Sequence, residues 1–182
     1  MPKVKNEMVR CVVVLSAIAL IAGVLLGFFS QLTALTEEDI RLRTEKKIAA
    51  IYSLSNLTEL EGAEDDNIGG FYKGSNESGD VYVVIATGAG GFGGKVQMYV
   101  FIQNDQIVRL GAGSHGETPG TSDKAFSGTH YQKYYGVNIL ENSFALGGEG
   151  ENGVDAMTGA TYTSTAVNNA VNNAIAFYRA NR

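Results

Sequence analysis

Between residues 155 and 163 the chain reads Asp-Ala-Met-Thr-Gly-Ala-Thr-Tyr-Thr, three threonines and a carboxylate around one glycine. Apolar residues then recur at Ala166, Val167, Ala170, Val171, Ala174, Ile175 and Tyr178, a helical stripe. Asn168, Asn169, Asn172 and Asn173 fall on the other face. The helix is expected to start close to Thr163 or Ser164, where hydroxyl residues make good N-caps. A helix N-terminus presents unpaired N–H groups and the positive end of a dipole, so it favours a phosphate. Gly159 permits a tight turn just upstream. A loop, a hydroxyl and a helix start are what a phosphoester anchor needs. The same pattern also describes an ordinary capped helix after a glycine turn.

Two other segments carry candidate residues. Gly90-Gly91-Phe92-Gly93-Gly94 lacks the Gly-Lys-Ser/Thr ending of a nucleotide-phosphate loop, and a strand rather than a helix is expected to follow it. It reads equally as a hairpin turn and as a ligand loop. Glu117-Thr118-Pro119-Gly120 reads in isolation as a surface turn. His115 lies near Glu117, but no nucleophile or triad partner stands at a recognisable spacing. No catalytic residue is assigned.

The segment 155–163 resembles the D-x-x-(S/T)-G-A-T-x-(S/T) signature of the FMN-binding domain found in the G component of the bacterial Rnf complex and in the C component of the related Nqr complex. Asp155, Thr158, Gly159, Ala160, Thr161 and Thr163 match it. The resemblance implies FMN held covalently through its phosphate, with Thr163 as the acceptor and Thr161 and Ser164 as neighbouring hydroxyls. Asp155 would position the loop or assist a metal-dependent attachment. Gly91-Phe92-Gly93-Gly94 matches a G-(Y/F)-G-G element of the family, which implies that Gly91 and Gly93 let the backbone approach a flat ring. Glu117-Thr118-Pro119-Gly120 matches an E-T-P-G element, which implies that Glu117 and Thr118 line the flavin pocket. The family commonly continues with Leu-Gly and a basic residue. This chain has Thr121-Ser122-Asp123-Lys124 instead, which removes the apolar ring contact expected from leucine. The resemblance covers roughly residues 80–170.

The 182 residues suffice for one domain and an appendage. Residues 11–29 form an uncharged apolar run long enough to span a bilayer core. Lys3, Lys5 and Arg10 precede it, and no A-x-A cleavage site follows, so an uncleaved signal anchor is expected. The basic N-terminus argues for an inside N-terminus, against the weaker counterweight of Arg41, Arg43, Lys46 and Lys47. The family implies attachment outside the cytoplasm, which places the domain on the outer side. After residue 30 there are eleven basic and eighteen acidic residues, a net of −7. That charge argues against nucleic acid or anionic lipid as partners. Cys11 is the only cysteine and lies in the apolar run, and His115 and His130 are the only histidines. No thiolate metal site, iron–sulfur cluster or zinc spacing is expected.

The expected layout is a cytoplasmic stub over residues 1–10, an anchor over 11–30, a helical segment and loop over 31–70, and the binding domain over 71–182. A charged helix should fill residues 37–54 and a loop residues 64–70. Strands are expected at 81–87, 96–103 and 107–110, with a glycine turn at 88–94 and a turn at 104–106. Another short strand is expected within 136–144 and a flexible segment over 147–153. Tyr131, Tyr134 and Tyr135 are assigned to core packing by default. The fold class is α+β: one transmembrane helix, then an extracytoplasmic domain built on a twisted antiparallel sheet.

Taken together, the residues and the resemblance imply an electron-carrying subunit of a membrane-bound, ion-translocating ferredoxin:NAD+ oxidoreductase. Its companions would be iron–sulfur, flavin and membrane subunits, and a flavin transferase would act during maturation. The C component of an Nqr-type complex and a stand-alone flavinylated carrier share the same domain. A membrane-anchored, non-redox binding module is the alternative of another class.

Overall fold

The computed structural model describes residues 3–33, 36–62, 64–148 and 152–182. The chain divides into two compact units, residues 1–44 and 45–182. The first contains α1 (Lys3–Thr33) and most of α2 (Glu37–Ile51). Within α1, residues 7–31 are long and apolar enough to cross a membrane, and their side chains are exposed. At about 1.5 Å per residue such a stretch exceeds a hydrocarbon core of about 30 Å. One such helix suits a single-pass anchor. Thr36 immediately precedes α2, its Oγ1 accepting from the Asp39 N–H at 3.2 Å while the Asp39 carboxylate accepts from the Thr36 hydroxyl at 2.7 Å.

The second unit is built on a five-stranded antiparallel meander in the order β1-β2-β3-β4-β5. The strands are β1 (Ser55–Glu59), β2 (Ile68–Asn76), β3 (Gly79–Gly91), β4 (Gly94–Gln103) and β5 (Gln106–His115). Beyond the sheet come α3 (Gly128–Tyr131), the paired two-residue strands β6 (Ala145–Leu146) and β7 (Gly153–Val154), and α4 (Thr161–Asn181). Antiparallel strands with separate helices make the fold α+β.

The alternation along β4 is real, yet both faces of the strand are buried. Val96, Met98, Val100 and Ile102 join Phe71, Val84 and the apolar stripe of α4 in one cluster. Tyr99 and Phe101 join Tyr72, Val81, Val83 and Ile85 in a second, covered by Ile48, Ile51, Tyr52, Leu54 and Leu57. The sheet is thus the middle of three layers, which explains its bulky apolar residues on both sides. Tyr131 and Tyr134 belong to the first cluster. Tyr135 is half-buried, and its hydroxyl accepts from the Leu110 N–H at 3.2 Å.

Four expectations are corrected. Gly69 and Gly70 lie within β2 rather than in a loop, so the sheet begins well before residue 71. Glycine lowers strand propensity, but the pairing of Gly70 with Ile85 overrides it, while Gly69 sits at the register shift between Ile68 and Gly70. The loop at 88–94 is mostly strand: β3 runs to Gly91, and only Phe92 and Gly93 form the turn. The turn between β4 and β5 is Asn104-Asp105, with Gln106 already paired to Gln103. Both turn residues have positive φ, 52° and 58°, as a two-residue type I′ hairpin requires. Residues 136–144 form no strand, only an isolated bridge from Asn138 to Gln106. Of the segment expected to be flexible, residues 149–151 lie outside the described residues, while Gly153 pairs with Ala145.

Candidate functional site

Helix α4 starts at Thr161, two residues earlier than expected. Its N-cap is Ala160, which offers no side-chain cap. The hydroxyls do other work. Gly159, at φ 81°, shapes a turn closed by the Ala160 N–H on the Met157 carbonyl at 2.8 Å. Ser164 Oγ accepts from the Met157 N–H at 3.0 Å and holds that turn against the helix. Thr165 Oγ1 donates to the Thr161 carbonyl. Thr163 therefore lies in the first helical turn, where backbone N–H groups have no intrahelical acceptor.

Thr163 Oγ1 donates to Glu117 Oε2. Both residues are buried, at 3% and 6% exposure. The other carboxylate oxygen, Glu117 Oε1, accepts from the Gly93 N–H at 2.7 Å. Burial pulls the Glu117 pKa up. The hydrogen bonds from Thr163, Gly93 and Phe92, with His115 nearby, outweigh it and hold the pKa below the ordinary carboxylate value. Glu117 is therefore an anion at neutral pH.

The glycines explain how the carboxylate fits. A Cβ on Gly91 would stand 2.5 Å from Glu117 Oε1, and one on Gly93 would stand 2.0 Å from the Gly116 carbonyl oxygen. These two glycines admit the Glu117 loop. The 117–123 segment then curls back on itself. Ser122 Oγ donates to the Thr118 carbonyl at 2.7 Å, and the Gly120 N–H donates to Asp123 Oδ2 at 3.0 Å.

The hairpin tip, this loop and the start of α4 enclose a cleft of about 250 Å³. Glu117, Thr118, Gly159, Ala160, Thr161 and Thr163 line it, with Phe92, Thr121, Ser122 and Tyr162. Gly91 and Gly93 stand behind Glu117. Asp155 and Thr158 do not line the cleft. Asp155 is exposed, with its carboxylate 3.5 Å from Lys133 Nζ. Lys124 is exposed and also absent from the lining, which contains no lysine or arginine.

Phe92 and Tyr162 were given no role by sequence reasoning. They are 78% and 69% exposed, and among the described residues of the second unit no other large hydrophobic is. One usable signal was an aromatic at a hairpin tip, where strand alternation cannot bury it. The other was an aromatic between two threonines at a helix start. The His115 ring stacks on Phe126, with ring centroids 4.4 Å apart.

Residues 91–176 match the family of FMN-binding domains. The chain is also 33% identical over 113 residues to the G component of the Na(+)-translocating ferredoxin:NAD(+) oxidoreductase complex of Acetobacterium woodii. That alignment covers 59% of this chain and 54% of the relative, so the chain spans about half the length of the curated relative it matches. The matched domain holds the whole cleft, from Phe92 to Thr163. Over residues 91–176 the chain is thus similar to FMN-binding domains, and as a whole it is similar to the G component of that oxidoreductase complex.

Proposed function

We propose that this chain is the FMN-bearing electron-transfer subunit of a membrane-bound, ion-translocating ferredoxin:NAD+ oxidoreductase, with FMN joined to Thr163 by a phosphoester. The observation that carries this reading is the Thr163 hydroxyl, set in the first turn of α4 within the cleft of an FMN-binding domain. The free N–H groups of that turn favour a phosphate there. Apolar surface and two exposed aromatic rings border the cleft, as a flat ring system needs. When bound, FMN supplies the redox chemistry, and the protein supplies attachment, orientation and electrostatics.

Each element has its part. Thr163 is an anchor rather than a catalyst. Thr118, Thr121 and Ser122 offer hydroxyls along one wall. Asp155 and Thr158, outside the cleft, belong to the signature as surface that a flavin transferase would contact. The basic N-terminal flank of the single span supports an outer-side position for the domain. Its partners there are the other subunits of the complex.

The test is expression of the full chain with a flavin transferase, beside Thr163→Ala. The expected result is in-gel flavin fluorescence of the denatured parent, an FMN-phosphoester mass on the Thr163 peptide and a dark variant. A dark parent, with the transferase active on another acceptor, would overturn the covalent reading.

A further inference from the structure

The hydroxyl that is to be esterified already points its proton at a carboxylate. Around the start of α4, Ser164 Oγ is engaged by the Met157 N–H and Thr165 Oγ1 by the Thr161 carbonyl. Among the described residues Thr163 alone has a carboxylate as its acceptor there. That carboxylate is prepared for its position. Oε1 is held by the Gly93 N–H of the hairpin tip, and Oε2 faces Thr163. Gly91 has no side chain to crowd Oε1.

We propose that Glu117 is the general base for attachment of the flavin phosphate, so that the acceptor chain carries a catalytic group of its own modification. This rests on the covalent reading of Thr163 given above. The donor is a flavin–nucleotide diphosphate. Thr163 Oγ1 attacks the phosphorus on the flavin side. The Oγ1–P bond forms as the bond from that phosphorus to the bridging oxygen breaks, and the nucleoside monophosphate leaves with that electron pair. The Thr163 proton passes to Glu117 Oε2. Nothing is oxidised or reduced.

A carboxylate is a weak base for an alcohol. Phosphoryl transfer tolerates this, because its transition state is loose and the nucleophile loses its proton late. The depressed pKa keeps Glu117 ionised and ready at neutral pH. The step also resolves a charge conflict. The ester deletes the hydroxyl donor and leaves an anionic phosphodiester beside the carboxyl group. A Glu117 that has taken the proton is neutral and does not repel it. The same contact selects the acceptor, since Thr161 and Ser164 lack it.

A purely structural latch between loop and helix would need only hydrogen bonding, which glutamine supplies. The experiment therefore measures the initial rate of covalent flavin incorporation into the detergent-solubilised full chain, at varied acceptor concentration. Parent, Glu117→Gln and Glu117→Asp are compared, with thermal unfolding as the control for folding. The expected result is a loss of about 10²-fold or more in kcat for Glu117→Gln, with little change in KM for the acceptor chain. Glu117→Asp, which keeps a carboxylate, should fall between the two. Glu117→Gln labelled on Thr163 at the parent rate would overturn the base role and leave the covalent reading standing. A rise in KM alone would overturn it in favour of a positioning role. A parent that takes no flavin at all would overturn both.

Discussion

Gly88 of β3 lies directly against the backbone of α4 at Ala166: a Cβ on Gly88 would stand 2.0 Å from the Ala166 carbonyl oxygen and 2.3 Å from the Ala170 nitrogen. No side chain separates strand from helix there. The contact sets how close the first turns of α4 come to the β3–β4 hairpin. It therefore sets the reach from Thr163 to Glu117.

Gly88→Ala should thus act on both stability and the site. The obstruction is backbone, which cannot rotate away, so the helix must shift. A loss of ~3 kcal/mol is expected, at the upper end of overpacking costs. Denaturant unfolding of the second unit checks it. The covalent labelling of Thr163 should fall in parallel, because displacement of α4 breaks the Thr163–Glu117 contact.

The asparagines of α4 form two clasps. Asn169 and Asn173 donate to the carbonyls of Ala89 and Thr87, each at 2.8 Å, beside the register shift of β3. Asn168 and Asn172 donate to the Phe144 carbonyl, and Asn172 Oδ1 also accepts from the Phe144 N–H at 3.0 Å. Asn172→Ala leaves that N–H without its partner and should cost about 2 kcal/mol. Comparison of urea midpoints with the parent measures this.

His130 should make stability depend on pH. Its ring is fully buried, and Nδ1 lies 2.9 Å from the Ala125 carbonyl oxygen and donates to it. Nε2 has no partner among the described residues. Burial lowers its pKa more than the Ala125 hydrogen bond raises it, and Lys133 lowers it further. The folded value lies below the unfolded one, so the unfolded chain binds the proton first. The His130 contribution is fully present above about pH 6.5 and is lost as pH falls through the folded value. Glu117 follows the same sign lower down, with its contribution intact above its ordinary value of 4.5. Melting temperatures between pH 8 and pH 5 should fall in the parent and stay flatter in His130→Gln.

Phe92 and Tyr162 are expected to serve the ligand rather than the fold. Each is largely exposed at the rim of the cleft. Phe92→Ala and Tyr162→Ala should change unfolding free energy by about 0.5 kcal/mol or less. In the flavin-loaded protein Tyr162→Ala should raise flavin fluorescence, because an electron-rich phenol stacked on the ring quenches it. Unchanged fluorescence in that variant would place the ring elsewhere.

The sequence alone determined a good part of this. The apolar run over residues 11–29, the stripe of α4 and the alternation of β4 were readable because each follows a local period. The threonine at 163, the glycines at 91 and 93 and the glutamate at 117 were named from short motifs. Their relation was not readable. Glu117 and Thr163 are 46 residues apart and meet only because α4 packs at Gly88 onto the strand leading to the hairpin. The strand character of Gly69 and Gly70 was equally hidden, since it depends on a neighbour, β3, and not on the glycines themselves. The α4 asparagines were readable only as the face opposite the apolar stripe. They are a binding face for carbonyls and a peptide N–H of β3 and of the segment around Phe144. Local periodicity and residue chemistry fix which groups are available. Backbone approach at residues without side chains decides which of them touch.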